Sequence, residues 1–132
     1  AGPKARFGIT PAKLGLVYSL HDTKLLVDLV GTAQAKRILF TGALLPADEA
    51  HAIGLVTLLS DDPHATLAEF AGQLVSVSGH SQRRSKVMIQ RILDGQAHDD
   101  DGTLAEFAAA FDGPDFAEGV SAFLEKRKPV FP

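Results

Sequence analysis

The chain has 132 residues, the length of one domain rather than two, and its 45% apolar and 22% charged residues are the balance of an ordinary globular protein. The formal charge of −3 argues against a nucleic-acid partner, and no run approaches the ~20 apolar residues that a membrane span needs. With no cysteine there are no disulfides, thiol nucleophiles or thiolate metal sites, and with no basic-then-apolar leader at its start a cytoplasmic location is expected.

Along the chain, Arg6-Phe7-Gly8-Ile9 reads as a short opening strand. A strand needs a neighbour for its backbone groups, and only one other good strand is read downstream, so further chain before Ala1 is expected. Asp22 is placed to cap a helix through Leu25, Leu26, Leu29 and Val30, which Gly31 ends. Thr32 caps the next helix, AQAKRILF, and Gly42 stops it. Pro46 suits a first turn, with Ala47, Ala50 and Ile53 as the apolar side before Gly54. The branched run Leu55 to Leu59 predicts a buried strand.

Asp62-Pro63 opens a long helix with Leu67, Phe70, Ala71, Leu74 and Val75 on one stripe. A basic helix follows, about Ser81 to Leu93, and then a solvated loop, QAHDDDG. Thr103 and Glu106 are spaced as a capping box in front of the Leu104, Phe107, Ala108 and Phe111 stripe, and Asp115 and Glu118 repeat the device for the last helix. The expectation is about seven helices, one firm strand and one doubtful one, with no internal repeat.

Little of this is a reaction centre. His21, His51, His64, His80 and His98 stand singly on different elements, with no HExxH run, so no metal site is expected. His80 lies between Ser78 and Ser81, but neighbours on an irregular turn rarely face each other. Asp99, Asp100 and Asp101 read as a loop held open by self-repulsion. There is no Gly-rich phosphate cradle, and each helical Glu has a structural role available. Composition and spacing alone define a mostly helical domain.

Three stretches go further. ARFGITPAKLGL is similar to the strand-and-turn segment of enoyl-CoA hydratases and isomerases, the crotonase superfamily. RILFTGALLPADEAHAIGLV resembles that family's F-T-G, A-x-E-A and G-L-V run, and FAEGVSAFLEKRKPVF its closing helix. All three occur in the family's order, and the resemblance covers the second half of a family chain. It implies an α/β crotonase (ClpP/crotonase-like) fold, of which this chain is the mostly helical C-terminal half with one or two short strands. Residues 1–60 would end the spiral core, and residues 61–132 would form the helical region for trimerisation and coenzyme A anchoring.

The resemblance implies an acyl-CoA thioester as partner, hydrated or isomerised through an enolate, and a homotrimer or dimer of trimers. No separate cofactor is implied, coenzyme A being part of the substrate. The two backbone N–H groups that hold the thioester oxygen would lie upstream of Ala1, so this fragment alone is expected to be inactive. Pro11 stands where the family's hydratases carry a Glu in this segment, which leaves no catalytic residue assigned here. By the same carry-over Phe123 would contact adenine, Lys126 the 3′-phosphate, and Phe107 would be a further aromatic contact. Tyr18 stands where the family has small residues, and either lines the acyl pocket or packs with its phenol in water. Lys126, Arg127 and Lys128 also suit a helix C-terminus for dipole reasons alone. Two other readings stay open: a non-catalytic helical oligomerisation fragment, and a free-standing acyl-CoA binder.

Overall fold

A computed structural model describes all of residues 1–132. The chain forms two compact units, Ala1–Leu67 and Ala68–Pro132.

In the first unit, β1 (Arg6–Phe7) pairs antiparallel with β2 (Leu45–Pro46), Arg6 opposite Pro46 and Phe7 opposite Leu45. The doubtful opening strand is therefore present, with a partner from within the chain. A 3₁₀ turn, Pro11–Leu14, follows, with Pro11 at its start, where a missing N–H costs nothing. Next comes α1 (Leu20–Thr41), two helical arms that meet at Gly31, whose φ of 76° and ψ of 161° suit glycine alone. Ser19, not Asp22, caps the first arm: its Oγ accepts from Asp22 N at 3.0 Å and donates to the Asp22 carboxylate at 2.8 Å. Asp22 sits in the first turn instead, where a negative charge suits the dipole. Gly42 closes the second arm at φ 57°, its N–H reaching Ile38 O.

Leu26, Ala35, Ile38 and Leu45 form the buried cluster, with Ile9, Val27, Val30, Leu39, Ile53 and Leu55 partly buried against it. β2 runs directly into α2 (Ala47–Ala52), whose N-cap is Pro46 and whose buried residues are Ala47 and Ala50. An Arg37–Glu49 ion pair ties α2 to α1.

The expected strand at Leu55–Leu59 is not formed. Leu55 N–H and Val56 N–H both return to Ala50 O, closing α2. Val56 O meets the His51 ring at Nδ1, 2.9 Å away, and Leu58 O and Ser60 N both pair with Ala1. Branched side chains favour a pleated surface, yet a strand also needs a neighbouring ladder, and the one sheet formed is β1 with β2.

α3 (Pro63–Val75) opens under an Asp62 cap as expected, Asp62 Oδ1 accepting from Ala65 N at 3.0 Å. The second unit contains α4 (Gly79–Leu93), α5 (Asp101–Ala109), a 3₁₀ turn (Ala110–Asp112) and α6 (Pro114–Leu124). α4 begins two residues before the expected Ser81, because Ser78 is its cap. For α5 the capping box is Asp100 with Thr103, not Thr103 with Glu106. Arg91 and Gln96 also donate to the Asp100 carboxylate, both at 3.1 Å. Those bonds, the Thr103 N–H first among them, hold the Asp100 carboxyl below its ordinary range. Nor do Asp115 and Glu118 form a capping box. Asp115 accepts from Ser78 Oγ at 2.5 Å, joining the starts of α4 and α6, while Glu118 faces the chain's end.

Gly31 and Gly72 make a matched test of backbone conformation, since a Cβ on either would meet nothing within 4 Å. Gly31→Ala forces a side chain into a glycine-only region and is expected to lower stability by about 1–3 kcal/mol. Gly72→Ala, inside α3, should raise it by roughly 0.5–1 kcal/mol. Urea unfolding of the two variants should show midpoints displaced in opposite directions; displacement the same way would contradict the Gly31 geometry.

Candidate functional site

The end of α6 gathers the residues of most chemical interest. Leu124 is its last residue, and the chain turns back through a Schellman motif: Lys126 N–H bonds Phe123 O at 3.3 Å and Arg127 N–H bonds Ala122 O at 3.0 Å. The position that turns left-handed in this motif is normally Gly. Here it is Lys126, at φ 54°, the one non-glycine residue with positive φ in the chain.

Of the three terminal cations, Arg127 is committed to the fold. Its guanidinium grips Glu118 with two bonds, Nη1 to Oε1 at 2.5 Å and Nη2 to Oε2 at 2.9 Å. Nε donates to Glu125 Oε2 at 2.7 Å, and Ser121 Oγ holds the other Glu125 oxygen at 2.9 Å. Glu118 Oε1 also accepts Val130 N–H at 2.6 Å, which folds the tail back on α6. This forked, charge-assisted geometry draws the Glu118 carboxyl down to about 2 and also lowers Glu125; in both the Arg127 bonds are the largest cause. The same bonds hold the guanidinium proton more firmly. The Lys126 ammonium, by contrast, makes no ion pair or hydrogen bond.

Phe123 stands one turn before this network and is 81% exposed. It borders an open apolar hollow of about 410 Å³ with Phe116, Val120, Leu124 and Phe131. Phe107, 67% exposed, borders a second hollow of about 450 Å³ with Met88, Ile89 and Ile92. His80, Ser81 and Ala110 border both. Phe107 also begins an edge-to-face chain, 5.2 Å to Phe111, which is 5.3 Å from Phe116.

Tyr18 belongs to the first unit, in the irregular segment before α1, with an exposed ring and a phenol that forms no hydrogen bond. Pro11 offers no side-chain acceptor. His80 lies in the first turn of α4, not on an irregular turn, and bonds to neither adjacent serine. No three His, Asp or Glu side chains are gathered as a metal-ligand set, and no helix is long and apolar enough to cross a membrane. The Glu118–Arg127 pair has no signature in the sequence pattern. Its nine-residue spacing crosses a helix end, where periodicity no longer tells which side chains meet.

The sequence profile of the enoyl-CoA hydratase/isomerase family matches residues 1–132. The chain belongs to that family. It is 35% identical over 138 residues to a crotonyl-CoA hydratase of Syntrophomonas wolfei, covering 99% of this chain and 52% of that protein. It is 37% identical over 133 residues to a putative enoyl-CoA hydratase of Thermus thermophilus, covering 97% and 51%. Among solved structures, a putative enoyl-CoA hydratase/isomerase family protein from Hyphomonas neptunium superposes with a TM-score of 0.89 at 39% identity, over 97% of this chain and 50% of that one. The fold is therefore that of the crotonase superfamily, and the match is to the C-terminal half. The chain spans about half the length of these relatives.

The Glu118 carboxyl, free at 4.5 and held at about 2 in the fold, makes a signed pH prediction. Between those values the unfolded chain binds more protons than the folded one, so stability rises with pH there. The contribution is complete above 4.5 and disappears as pH falls through about 2. Because the pair is solvent-facing, the effect should be modest and should shrink in salt. Thermal unfolding of wild type and Glu118→Gln should differ most near neutrality and converge in acid. A difference independent of pH would contradict the ion pair.

Proposed function

We propose that this chain supplies the coenzyme A anchor and part of the acyl pocket of an enzyme that hydrates or isomerises an enoyl-CoA through a thioester enolate. Family membership supports an acyl-CoA substrate, and the relatives named above are enoyl-CoA hydratases. One observation carries the anchor: an exposed phenyl ring, Phe123, and an uncommitted ammonium, Lys126, three residues apart at the end of one helix. A purine can stack on the ring while the ammonium meets a phosphate as a point charge. Stacking contributes about 1–3 kcal/mol per base, and a solvent-facing charge pair about 0.2–1 kcal/mol. Phe123 therefore supplies most of the affinity, and Lys126 supplies orientation. Phe107 and Tyr18 are secondary contacts, to the nucleotide and the acyl chain respectively.

Pro11 bears on which reaction is run. Two-carboxylate hydration needs a second acidic side chain beside the thioester, and proline can neither accept nor donate a proton. A mechanism with one carboxylate, as in double-bond isomerisation, fits this chain better. The thioester oxygen donors come from another part of the protein, and this chain by itself is inactive. The enzyme is a cytoplasmic homotrimer or dimer of trimers that needs no cofactor beyond the coenzyme A of its substrate. The apolar faces of α3 to α6 support assembly: Leu67, Val75, Ile92, Leu104 and Leu124 are each more than half exposed.

With full-length protein, 3-enoyl-CoA isomerisation should outpace crotonyl-CoA hydration, and Pro11→Glu should raise hydration. Fast hydration by wild type would overturn the role given to Pro11. In calorimetric titration with coenzyme A, Phe123→Ala should lose more affinity than Lys126→Ala. Unchanged affinity in both variants would remove the anchor and leave an assembly role alone.

A further inference from the structure

The left-handed Lys126 calls for an account, because a non-glycine residue is disfavoured there and the ammonium gains no partner within the chain. Strain of this kind persists only where the surroundings over-determine it. Here they do. The residue before Lys126 ends the helix as its C-cap, and the residue after it is held by Glu118 and Glu125 together. Arg127 Nη1 also donates to Lys128 O at 3.2 Å, and Glu118 draws Val130 N–H back to the helix. Lys126 is thus fixed between two anchored points, with its backbone set and its side chain free. Were the cations present only to complement the helix dipole, an unstrained lysine or arginine anywhere in the last turn would serve.

We infer that Arg127 and Glu118 are positioning residues: their forked ion pair locks the turn that points Lys126 at the phosphate of the ligand. This rests on the anchor proposed above and adds to it that phosphate recognition depends on two residues that do not touch the ligand. Arg127→Lys should not substitute, since an ammonium cannot reproduce the two-pronged grip on Glu118.

The test compares coenzyme A with 3′-dephospho-coenzyme A, using full-length protein and equilibrium titration at one salt concentration. The readout is the ratio of the two affinities, which isolates the phosphate from adenine stacking and from folding. Wild type should prefer coenzyme A by roughly two- to fivefold, the effect of one solvent-facing charge pair, and Lys126→Ala should bring the ratio to one. Arg127→Gln, Arg127→Lys and Glu118→Gln should bring it most of the way to one with affinity for the dephosphorylated ligand preserved. Lys126→Gly should melt higher than Lys126→Ala, both variants lacking the ammonium, because only glycine is at ease in that turn. A wild-type ratio of one, or a ratio left intact by Lys126→Ala, overturns the phosphate contact itself. A ratio lost in Lys126→Ala but kept in Arg127→Gln and Glu118→Gln overturns the positioning role alone. Equal loss of both affinities in the Arg127 and Glu118 variants makes the pair merely structural and also overturns it.

Discussion

Glu118 accepts two bonds from Arg127 and one from Val130 N–H, and this single carboxylate decides how the chain ends. A helix leaves its last carbonyls without partners, and the chain beyond it is free to diverge. The Schellman bonds of Lys126 and Arg127 satisfy two of those carbonyls, and the ion pair then carries the following residues back along α6. The hollow beside Phe123 depends on that return, since Phe131 is part of its wall. One charged pair thus shapes the turn, the tail and the apolar recess, although each of its bonds faces solvent.

Burial is distributed unevenly. The first unit has a buried cluster built from both arms of α1 and from β2. In the second unit only Ala122, Ser78 and Thr103 are buried, and two of these are capping or polar-linking residues. Its helices are closed by hydrogen bonds at their ends rather than by a packed interior. Apolar area kept in water forgoes about 25 cal/mol per Å², so stripes such as Leu104–Phe107–Phe111 gain from any surface that covers them. The faces left exposed in this unit are the same stripes that mark its helices in the sequence.

What the sequence could convey follows from the range of each signal. Gly31, Gly42 and Gly54 were readable as helix ends because each takes a positive φ that other residues resist. The amphipathic stripes were readable because they repeat. The caps fall one turn earlier than the pattern suggests, at Ser19 and Asp100, where several polar residues compete and only the local backbone decides which oxygen meets which N–H. The Leu55–Leu59 strand failed for a non-local reason: branched residues suit a strand, but no neighbouring ladder is offered to it. The roles proposed for Phe123 and Lys126 rest on the likeness of a whole motif rather than on any periodic signal. The conformation of Lys126 was not readable at all, because glycine is the usual marker of that turn and is missing here.

The opening strand and the terminal cations show the same limit from opposite sides. Arg6–Phe7 looked weak because no partner was visible nearby, yet β2 lies some forty residues on, brought back by the two arms of α1. The three cations looked equivalent because charge is a property of composition, whereas their roles are set by geometry. Arg127 can bridge two carboxylates because a planar guanidinium offers separate edges. Lys128 contributes its carbonyl to that network. The ammonium groups of Lys126 and Lys128 both stay out of the ion pairs, and of the two only Lys126 sits in a left-handed backbone conformation that the network imposes. A dipole argument assigns all three the same modest role near a helix end and predicts no strain at any of them. The strain at Lys126 therefore distinguishes a residue that is merely tolerated at a helix end from one that is held in place there.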